Sequence, residues 1–470
     1  MNKKFYITTT LPYVNAEPHL GFALEIIQAD AVARYHQLLG EDVFFNFGTD
    51  EHGLKIYRKA LEEKKDPKKY CDEYAARFDK LKEALNLSYN NFIRTTDPHH
   101  IKATREFWRR CDKSGDIYKK NYKAKYCVGC ELEKTDSELE NGRCPIHPNK
   151  ELEIIEEENY FFRFSKYQKP LLDFYEKNPS FVIPESKSNE IKTFVKNGLQ
   201  DFSISRLKSK MPWGIEVPGD PEHVMFVWFD ALVNYISAVG WPDDKEKFEK
   251  WWPVIQLAGK DNLRQQTAVW QAMLLSAGLP NSKQIFIHGF ITVNGQKISK
   301  SLGNTINPVE VAKKYGVDAL RYYLLAKINP YDDSDFTFEK FEQAYNSELA
   351  NGLGNLVSRV AKLCESSNKD FETSKPSLYE RVEDSINDYR FDLALYTIWA
   401  RISELDQEIN IKKPWEKEDD ELYQILKPIV LEIQKIAFNL KPFLPETADK
   451  IEKQYTQSKI KSGKPLFPRL

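Results

Sequence analysis

The first fifty residues change from a strand pattern to a helix pattern and back, and this alternation limits the fold more than any other feature of the chain. Residues 5–10 are rich in β-branched and aromatic side chains, and the strand pattern ends before Pro12, which cannot continue a central strand. Apolar residues recur at helical spacing over residues 18–39, and Gly40 is suited to end that helix. Residues 43–47 are a second apolar run, typical of a buried strand.

A strand, a crossover helix and a second strand form the unit of a parallel, doubly wound sheet of the Rossmann-like type, in which ligands bind at the carboxyl ends of the strands. The pattern therefore predicts an α/β fold with a cleft built from residues 11–21 and 48–53. Further buried strands are predicted at residues 224–229 and 285–288.

Two stretches depart from this alternation. Residues 116–221 break into short polar segments that contain Cys and His residues, which favours an insertion into the sheet domain. Beyond residue 341 the strand signals disappear and apolar residues follow helical spacing, which predicts an all-α bundle. The predicted divisions are 1–115 and 222–340 for the two halves of the sheet domain, 116–221 for the insertion and 341–470 for the bundle.

Charge and hydropathy exclude several classes of protein. The 68 basic and 70 acidic residues give a net charge of -2, so a polyanion must be held by local charge arrangement and not by bulk attraction. The longest apolar run, residues 224–229, is far too short to cross a bilayer. The amino terminus lacks the apolar stretch and cleavage site of a secretory signal, so we expect a cytoplasmic protein.

The segment Pro18-His19-Leu20-Gly21 begins the predicted helix inside the cleft. Exposed backbone N–H groups and the positive end of the helix dipole favour an anion there, and the imidazole adds a donor. Gly21 allows a ligand to approach the backbone. Phosphate is the expected ligand, but a histidine that occurs alone near a helix start is more often a cap or a surface residue.

Residues 295–304, Gly-Gln-Lys-Ile-Ser-Lys-Ser-Leu-Gly-Asn, place Lys297 and Lys300 three positions apart in a predicted loop. Such a loop can bring two ammonium groups to a polyphosphate as negative charge shifts to the leaving group. For an isolated Lys-x-x-Lys, the alternative is a solvated basic loop.

Four residues in the predicted insertion have the spacing of a metal site. Cys127 and Cys130 form one pair, and Cys144 and His147 form a second pair after thirteen intervening residues. Three thiolates and one imidazole make a closed tetrahedral zinc site, which leaves no position for a reactive water. The sequence therefore predicts one structural Zn²⁺ per chain.

Taken together, these motifs resemble those of the class I aminoacyl-tRNA synthetases, whose signatures are His-Ile-Gly-His and Lys-Met-Ser-Lys-Ser. Within that class the chain is most similar to the methionine-specific family. The resemblance spans nearly the whole chain and rests on residues 11–21, 48–53, 227–231, 297–304 and 318–322. It implies a ligase that activates L-methionine with ATP to methionyl-adenylate and pyrophosphate, and then transfers it to the 3′ end of methionine tRNA.

The resemblance also implies roles for individual residues. His19, Lys297 and Lys300 would be catalytic, and the residues that bind ATP would be Pro12, Asn15, His19, Gly21, Gly259, Asp261, Lys297 and Lys300. Methionine would contact Leu11, Tyr13, Asp50, Trp228, Ala231, Tyr235, Gln266 and Trp270, with the Asp50 carboxylate on its ammonium group. The tRNA anticodon would be read by Asn355, Arg359 and Trp415 in the bundle. The insertion that faces the acceptor end of tRNA would carry the zinc.

The chain departs from the family pattern at a few positions. Phe22 replaces the second histidine of the first signature, and Ile298 replaces the methionine of the lysine signature. Gln256, Asn262 and Gln266 stand where the family usually has histidine, isoleucine and histidine. Amides keep the capacity to donate and accept hydrogen bonds but do not titrate. Two alternatives therefore stay open: a class I synthetase for another amino acid, and a nucleotidyl transferase or RNA-binding relative that does not aminoacylate.

The expected partners follow from the implied reaction. They are ATP as its Mg²⁺ complex, L-methionine and methionine tRNA, both initiator and elongator, with no membrane partner. The chain ends soon after the predicted bundle, so we expect a monomer.

Overall fold

A computed structural model describes residues 3–15, 17–130, 132–134, 136–298 and 304–470 of the chain. Within these residues the strands, in chain order, are β1 (Lys4–Thr9), β2 (Asp42–Thr49), β3 (Asn91–Arg94), β4 (Ile117–Cys127), β5 (Leu132–Lys134), β6 (Glu153–Phe162), β7 (Val182–Ile183), β8 (Phe202–Ser203), β9 (Ser205–Leu207), β10 (Glu216–Val217), β11 (Asp220–Met225), β12 (Ile255–Gly259), β13 (Gln284–His288), β14 (Ile291–Val293), β15 (Gln296–Lys297) and β16 (Ser334–Phe336).

The α-helices in the same residues are α1 (Leu20–Leu38), α2 (Leu54–Glu62), α3 (Pro67–Asp79), α4 (Leu81–Ala84), α5 (Pro98–Lys113), α6 (Gln168–Lys177), α7 (Glu185–Lys196), α8 (Val227–Ala231), α9 (Asn234–Ser237), α10 (Lys245–Trp251), α11 (Trp270–Ser276), α12 (Pro308–Tyr315), α13 (Val317–Ala326), α14 (Phe338–Ala344), α15 (Asn355–Ser367), α16 (Glu380–Asn387), α17 (Phe391–Lys412), α18 (Asp419–Leu440) and α19 (Pro445–Tyr455). Two π-helical segments, Gln265–Val269 and Tyr345–Gly354, lead into α11 and α15.

The central sheet has the order β3-β2-β1-β12-β13-β7, and every neighbouring pair in it is parallel. The predicted fold class, a doubly wound parallel sheet followed by helices, is therefore confirmed. From β1 the chain continues to β2 and β3 on one side of the sheet, whereas from β12 it continues to β13 on the other side. Such a switch point forms a crevice at the carboxyl edge of the sheet. This crevice holds the residues described in the next subsection.

The first predicted unit is present as β1, α1 and β2. Helix α1 begins at Leu20, two residues later than the sequence pattern suggests, because His19 keeps an extended backbone with φ -128° and ψ 170°. The strand predicted over residues 224–229 is wrong for its second half, since β11 ends at Met225 and Val227 begins α8. All of these residues except Trp228 are buried, and a short apolar run does not distinguish a buried strand from a buried helix.

Residues 116–221 contribute to two small antiparallel sheets, with the orders β5-β4-β6-β8 and β10-β11-β9. The same range also reaches the central sheet, because β7 pairs with β13 and places Val182 opposite Ile285. The predicted insertion thus supplies an edge strand of the sheet domain. The boundaries at residues 116 and 221 stay predictions.

The carboxyl-terminal region is helical, and its core is continuous with that of the sheet domain. Arg321 on α13 joins the two: its guanidinium lies 2.7 Å from the buried Asp30 carboxylate on α1 and donates to the carbonyl of Phe443, in the carboxyl-terminal region, also at 2.7 Å. Burial raises the pKa of Asp30, but Arg321 and Arg34 more than offset it, so that pKa lies below its ordinary value. Among the described residues, no helix has the length and apolar character that a membrane span needs.

Candidate active site

A cavity of about 590 Å³ opens at the carboxyl ends of β1, β12 and β13, beside the start of α1. It lies at the switch point of the sheet, where this fold class binds its ligands. The residues predicted to bind ATP whose side chains are described all line it: Pro12, Asn15, His19, Gly21, Gly259 and Asp261.

A second cavity of about 510 Å³ adjoins the first. Most residues predicted to bind methionine line it: Leu11, Tyr13, Asp50, Trp228, Ala231, Tyr235 and Gln266. The two cavities share a wall that consists of Pro12, Tyr13, Asn15, His19, Lys55, Asp261, Asn262 and Ile298. A molecule in one cavity therefore meets a molecule in the other beside His19.

His19 stands at the amino end of α1 and its carbonyl accepts the first bonds of that helix, from the N–H groups of Phe22 at 3.0 Å and Ala23 at 3.1 Å. Gly21 is needed for the position of the imidazole, because a Cβ at this residue would lie 3.3 Å from two atoms of the His19 ring. Gly259 is restricted in a similar way, since a Cβ there would lie 2.9 Å from Oδ1 of Asp261.

Asp50 directly follows β2 and is only 4% exposed. Its backbone N–H donates to the Pro12 carbonyl at 2.9 Å, and its carbonyl accepts from the Val14 N–H at 3.2 Å. These bonds join the two loops that the sequence predicted to form the cleft. A buried carboxylate at this position can bind a cation that enters the second cavity.

Part of the remaining wall of the second cavity is aromatic. Trp228 and Ala231 come from α8 and Tyr235 from α9. Trp270 is fully buried and is not among the side chains that line this cavity; it packs edge-on against Tyr235 with a centroid distance of 5.9 Å. Trp270 thus supports the tyrosine, and its contact with methionine stays a prediction.

The two glutamines that replace family histidines form a buried chain of hydrogen bonds. Gln266 donates through Nε2 to the Tyr235 hydroxyl at 2.8 Å, and its Oε1 accepts from Nε2 of Gln256 at 3.0 Å. Oε1 of Gln256 in turn accepts from the Ser282 hydroxyl at 2.6 Å. Because the hydroxyl oxygen of Tyr235 accepts a hydrogen bond from Gln266, the hydroxyl proton of Tyr235 points away from Gln266.

Two of the other three departures from the family pattern, Phe22 and Asn262, also have clear positions. Phe22 packs against Phe47 and Phe78, with centroid distances of 5.6 and 5.5 Å, and it lines the first cavity. Nδ2 of Asn262 donates to Oδ1 of Asp261 at 3.3 Å. The phenyl ring therefore replaces a polar donor by an apolar surface, whereas the asparagine orients the neighbouring carboxylate.

Sequence reasoning missed a buried pair in the first cavity, Glu25 and His288. Nε2 of His288 lies 3.0 Å from Glu25, and its Nδ1 lies 2.7 Å from the Gly289 carbonyl. The Gly289 carbonyl can only accept, so Nδ1 of His288 donates to it. Burial lowers the pKa of His288, but the bond to Glu25 more than offsets it and the pKa lies above its ordinary value. The position of His288 at the end of a predicted strand was the signal available in the sequence.

The lysine signature is described only in part. The backbone of Lys297 belongs to β15, and Ile298 lines both cavities. Lys300 lies outside the described residues. The predicted convergence of His19, Lys297 and Lys300 therefore stays a prediction.

The four predicted metal ligands form one cluster. The ligand atoms of Cys127, Cys130, Cys144 and His147 all lie within 4.8 Å of one another. Sγ of Cys130 lies 3.5 Å from Sγ of Cys144 and 3.2 Å from Nδ1 of His147. Tetrahedral bonds of about 2.0–2.3 Å to nitrogen and sulfur require ligand separations of roughly this size. A Cβ at Gly129 would lie 2.5 Å from the His147 ring, so the knuckle requires this glycine.

The predicted anticodon residues lie together on the bundle. Asn355 and Arg359 are one turn apart on α15, and the Arg359 guanidinium lies 4.8 Å from the centre of the Trp415 ring. Arg359 is also held by Asp406 at 3.2 Å and by Asn410 at 2.7 Å, two residues that sequence reasoning missed. The Trp415 side chain is half exposed.

Known proteins resemble this chain in sequence and in structure. The family model described as "tRNA synthetases class I (M)" matches residues 5–151 and 130–361. The methionine–tRNA ligase of Thermotoga maritima is 41% identical over 471 residues, covering 95% of this chain and 74% of that protein. The methionine–tRNA ligase of a Nostoc species is 42% identical over 477 residues, covering 96% and 90%. Mycobacterium tuberculosis methionyl-tRNA synthetase in complex with methionyl-adenylate superposes with a TM-score of 0.92 at 34% identity, covering 99% of this chain and 100% of that chain.

Proposed function

The chain belongs to the methionine-specific class I tRNA synthetases, and from this premise we propose how its two adjoining cavities divide the reaction. The activity is that of a methionine–tRNA ligase. ATP occupies the first cavity and methionine the second. The observation that supports this assignment is the shared wall at His19, which brings the methionine carboxylate next to the α-phosphate of ATP.

Methionine enters with its ammonium group on the Asp50 carboxylate and its side chain between Leu11, Trp228 and Ala231. A buried carboxylate compensates the charge of the ammonium group, and aromatic walls suit a polarizable thioether. The Tyr235 proton, directed away from Gln266, is available to a weak acceptor such as the thioether sulfur. The Gln266 and Gln256 side chains behind Tyr235 take the place of the two histidines of the family, and Gln266 still donates a hydrogen bond to the tyrosine.

ATP enters as its Mg²⁺ complex. Asp261 accepts from the ribose hydroxyls, and Asn262 orients this carboxylate. Gly259 lets the nucleotide approach the end of β12. His19 and the start of α1 face the phosphates, where the imidazole and the positive end of the helix dipole favour an anion.

The first step needs no general base, because the methionine carboxylate is already ionised. One of its oxygens attacks the α-phosphorus in line; the bond from that phosphorus to the bridging oxygen breaks, and pyrophosphate leaves with the electron pair. In the second step the 2′-hydroxyl of the terminal adenosine of tRNA attacks the carbonyl carbon and displaces AMP. Catalysis is therefore positioning and charge stabilisation, and Lys297 and Lys300 act most strongly as pyrophosphate departs.

The experiment that tests this assignment is ATP–pyrophosphate exchange with each of the standard amino acids, followed by charging of methionine tRNA. We expect exchange with methionine far above exchange with leucine, isoleucine, valine or cysteine. Preference for another amino acid would identify a class I synthetase of different specificity. Adenylate formation without tRNA charging would identify a relative that does not aminoacylate.

We propose that Cys127, Cys130, Cys144 and His147 hold one Zn²⁺, which when bound supplies structural cross-linking of the insertion. Replacing Cys130 with serine is expected to lower the zinc content from about one ion per chain to nearly none, and to lower the melting temperature. Metal analysis of the purified variant measures this. Cys364→Ser is the control, because it makes the same change at a buried cysteine that lies outside the cluster. Full zinc content in Cys130→Ser would contradict the assignment.

We propose that Asn355, Arg359 and Trp415 read the anticodon, with Trp415 and Arg359 stacking on splayed bases. Trp415→Ala is expected to raise the KM for tRNA by about fivefold to a hundredfold, since stacking contributes about 1–3 kcal/mol per base. ATP–pyrophosphate exchange should not change. Tyr396→Ala, which removes another exposed aromatic ring of the bundle, serves as the control. If the two variants raised the KM for tRNA equally, Trp415 would not be part of the anticodon site.

We further propose that the enzyme works as a cytoplasmic monomer on both initiator and elongator tRNA. The absence of bulk positive charge means that shape and stacking must select the tRNA. Light scattering measures the oligomeric state, and charging of the two purified tRNAs measures the selectivity.

A further inference from the structure

A fully buried carboxylate lies between two buried histidines behind the second cavity. Asp230 accepts from Nδ1 of His52 at 2.6 Å and from Nε2 of His100 at 2.8 Å. Asp230 and His100 have no exposed surface, and His52 is 5% exposed. None of the three lines either cavity of the candidate site.

The three residues come from segments that are distant in sequence. His52 lies two residues after Asp50 in the loop that follows β2, and Asp230 directly precedes Ala231 on α8. His100 lies in the first turn of α5. The cluster therefore joins the loop that carries the ammonium-binding carboxylate to the helix that carries Trp228 and Ala231.

The surroundings hold this cluster firmly. Nδ1 of His100 lies 2.9 Å from the Ser237 hydroxyl on α9, and the His52 ring packs against Trp213 at 5.6 Å. Burial raises the pKa of Asp230, but the two imidazoles more than offset it, so that pKa lies below its ordinary value. An ionised, buried carboxylate must keep its partners, since losing one leaves an uncompensated charge.

We propose that Asp230, held by His52 and His100, is a positioning residue that determines the specificity for methionine. It fixes the distance between Asp50, which binds the ammonium group, and the wall formed by Trp228 and Ala231, which binds the side chain. This inference rests on the proposed assignment of the second cavity to methionine. It extends that assignment, because a fixed distance between Asp50 and this wall makes the site select amino acids by the length of their side chain.

The test is ATP–pyrophosphate exchange by the full-length enzyme with methionine and with ethionine, which is one carbon longer. Asp230→Asn is expected to raise the KM for methionine about tenfold or more and leave the KM for ATP within about twofold, because the methionine site alone loosens. The preference for methionine over ethionine should fall by a similar factor, since a fixed pocket discriminates one methylene by about 10–200-fold.

The control is Asp116→Asn. Asp116 is equally buried and accepts from Lys166 at 2.7 Å and from Ser276 at 2.8 Å. Unlike Asp230, which directly precedes Ala231, it is not adjacent in the chain to any residue that lines the second cavity. We expect this variant to lose stability without a change in the preference for methionine. An equal loss of preference in both variants, or no change in Asp230→Asn, would overturn the inference.

A pair of substitutions at His52 keeps the test decisive if Asp230→Asn does not fold. Asparagine places an N–H near the position of Nδ1, so His52→Asn should retain the preference for methionine that His52→Ala loses. Identical behaviour of these two variants would also overturn the inference. If the wild-type enzyme does not exchange with methionine at all, the proposed function fails, and this result is distinct from an unchanged preference in the variants.

Discussion

Lys300→Ala is expected to slow the formation of methionyl-adenylate by about tenfold to a thousandfold while methionine binding stays nearly unchanged. Lys300 follows Ile298 by two positions in the chain, and Ile298 lines both cavities at their shared wall. An ammonium group that engages the departing pyrophosphate stabilises the transition state more than the ground state. Its loss therefore lowers the rate and not the affinity for methionine.

Single-turnover measurement of the adenylate burst, combined with equilibrium dialysis of methionine, separates the two effects of Lys300→Ala. Lys313→Ala is the matched control, because Lys313 is an exposed lysine on the next helix, α12. It should leave both quantities unchanged. A burst of wild-type size in Lys300→Ala would show that this lysine takes no part in activation.

Asp50→Asn is expected to lower kcat/KM for methionine by about thirtyfold to several thousandfold. Removing one partner of a buried ionic pair costs about 2–5 kcal/mol, and each 1.4 kcal/mol is about tenfold. The fold should persist, because the contacts of Asp50 with Pro12 and Val14 are made by its backbone. The KM for ATP should change little.

A methionine analogue without the amino group provides the sharpest measurement for Asp50. The wild-type enzyme should bind this carboxylic acid much more weakly than methionine, because the Asp50 charge is left without its cation. In Asp50→Asn the difference between the two ligands should nearly disappear. If the variant keeps the full wild-type difference, another group must bind the ammonium.

The amino-terminal unit was predictable because its signals are local. Proline, glycine and the change of hydrophobic period mark β1, α1 and β2 within one or two residues of their observed ends. The same reasoning failed for residues 227–231, since a short and mostly buried apolar run lacks the periodicity that separates a strand from a helix. The metal cluster was equally predictable, because its ligands lie within twenty-one residues at spacings that tetrahedral coordination requires.

Other features depend on contacts between distant segments. Glu25 and His288 are 263 positions apart, and Asp230 is 178 positions from His52. No periodicity or spacing relates such residues, because their approach follows from the order of the strands and from side-chain packing. The resemblance to the family implied a contact of Trp270 with methionine; in the structure Trp270 packs against Tyr235, which lines the second cavity, and the contact itself stays a prediction.

Local chemistry in the chain was sufficient to determine the class of fold, the Cys and His cluster that could hold a metal and the two signature segments, because each depends on residues close together in sequence. Tertiary structure alone decided which side chains share the wall between the two cavities, how the glutamines replace the histidines, and what lies behind Asp50 and Trp228. These features depend on the switch point between β1 and β12 and on the packing of α8 against the loop after β2, where the chain brings together residues whose separation in sequence carries no signal.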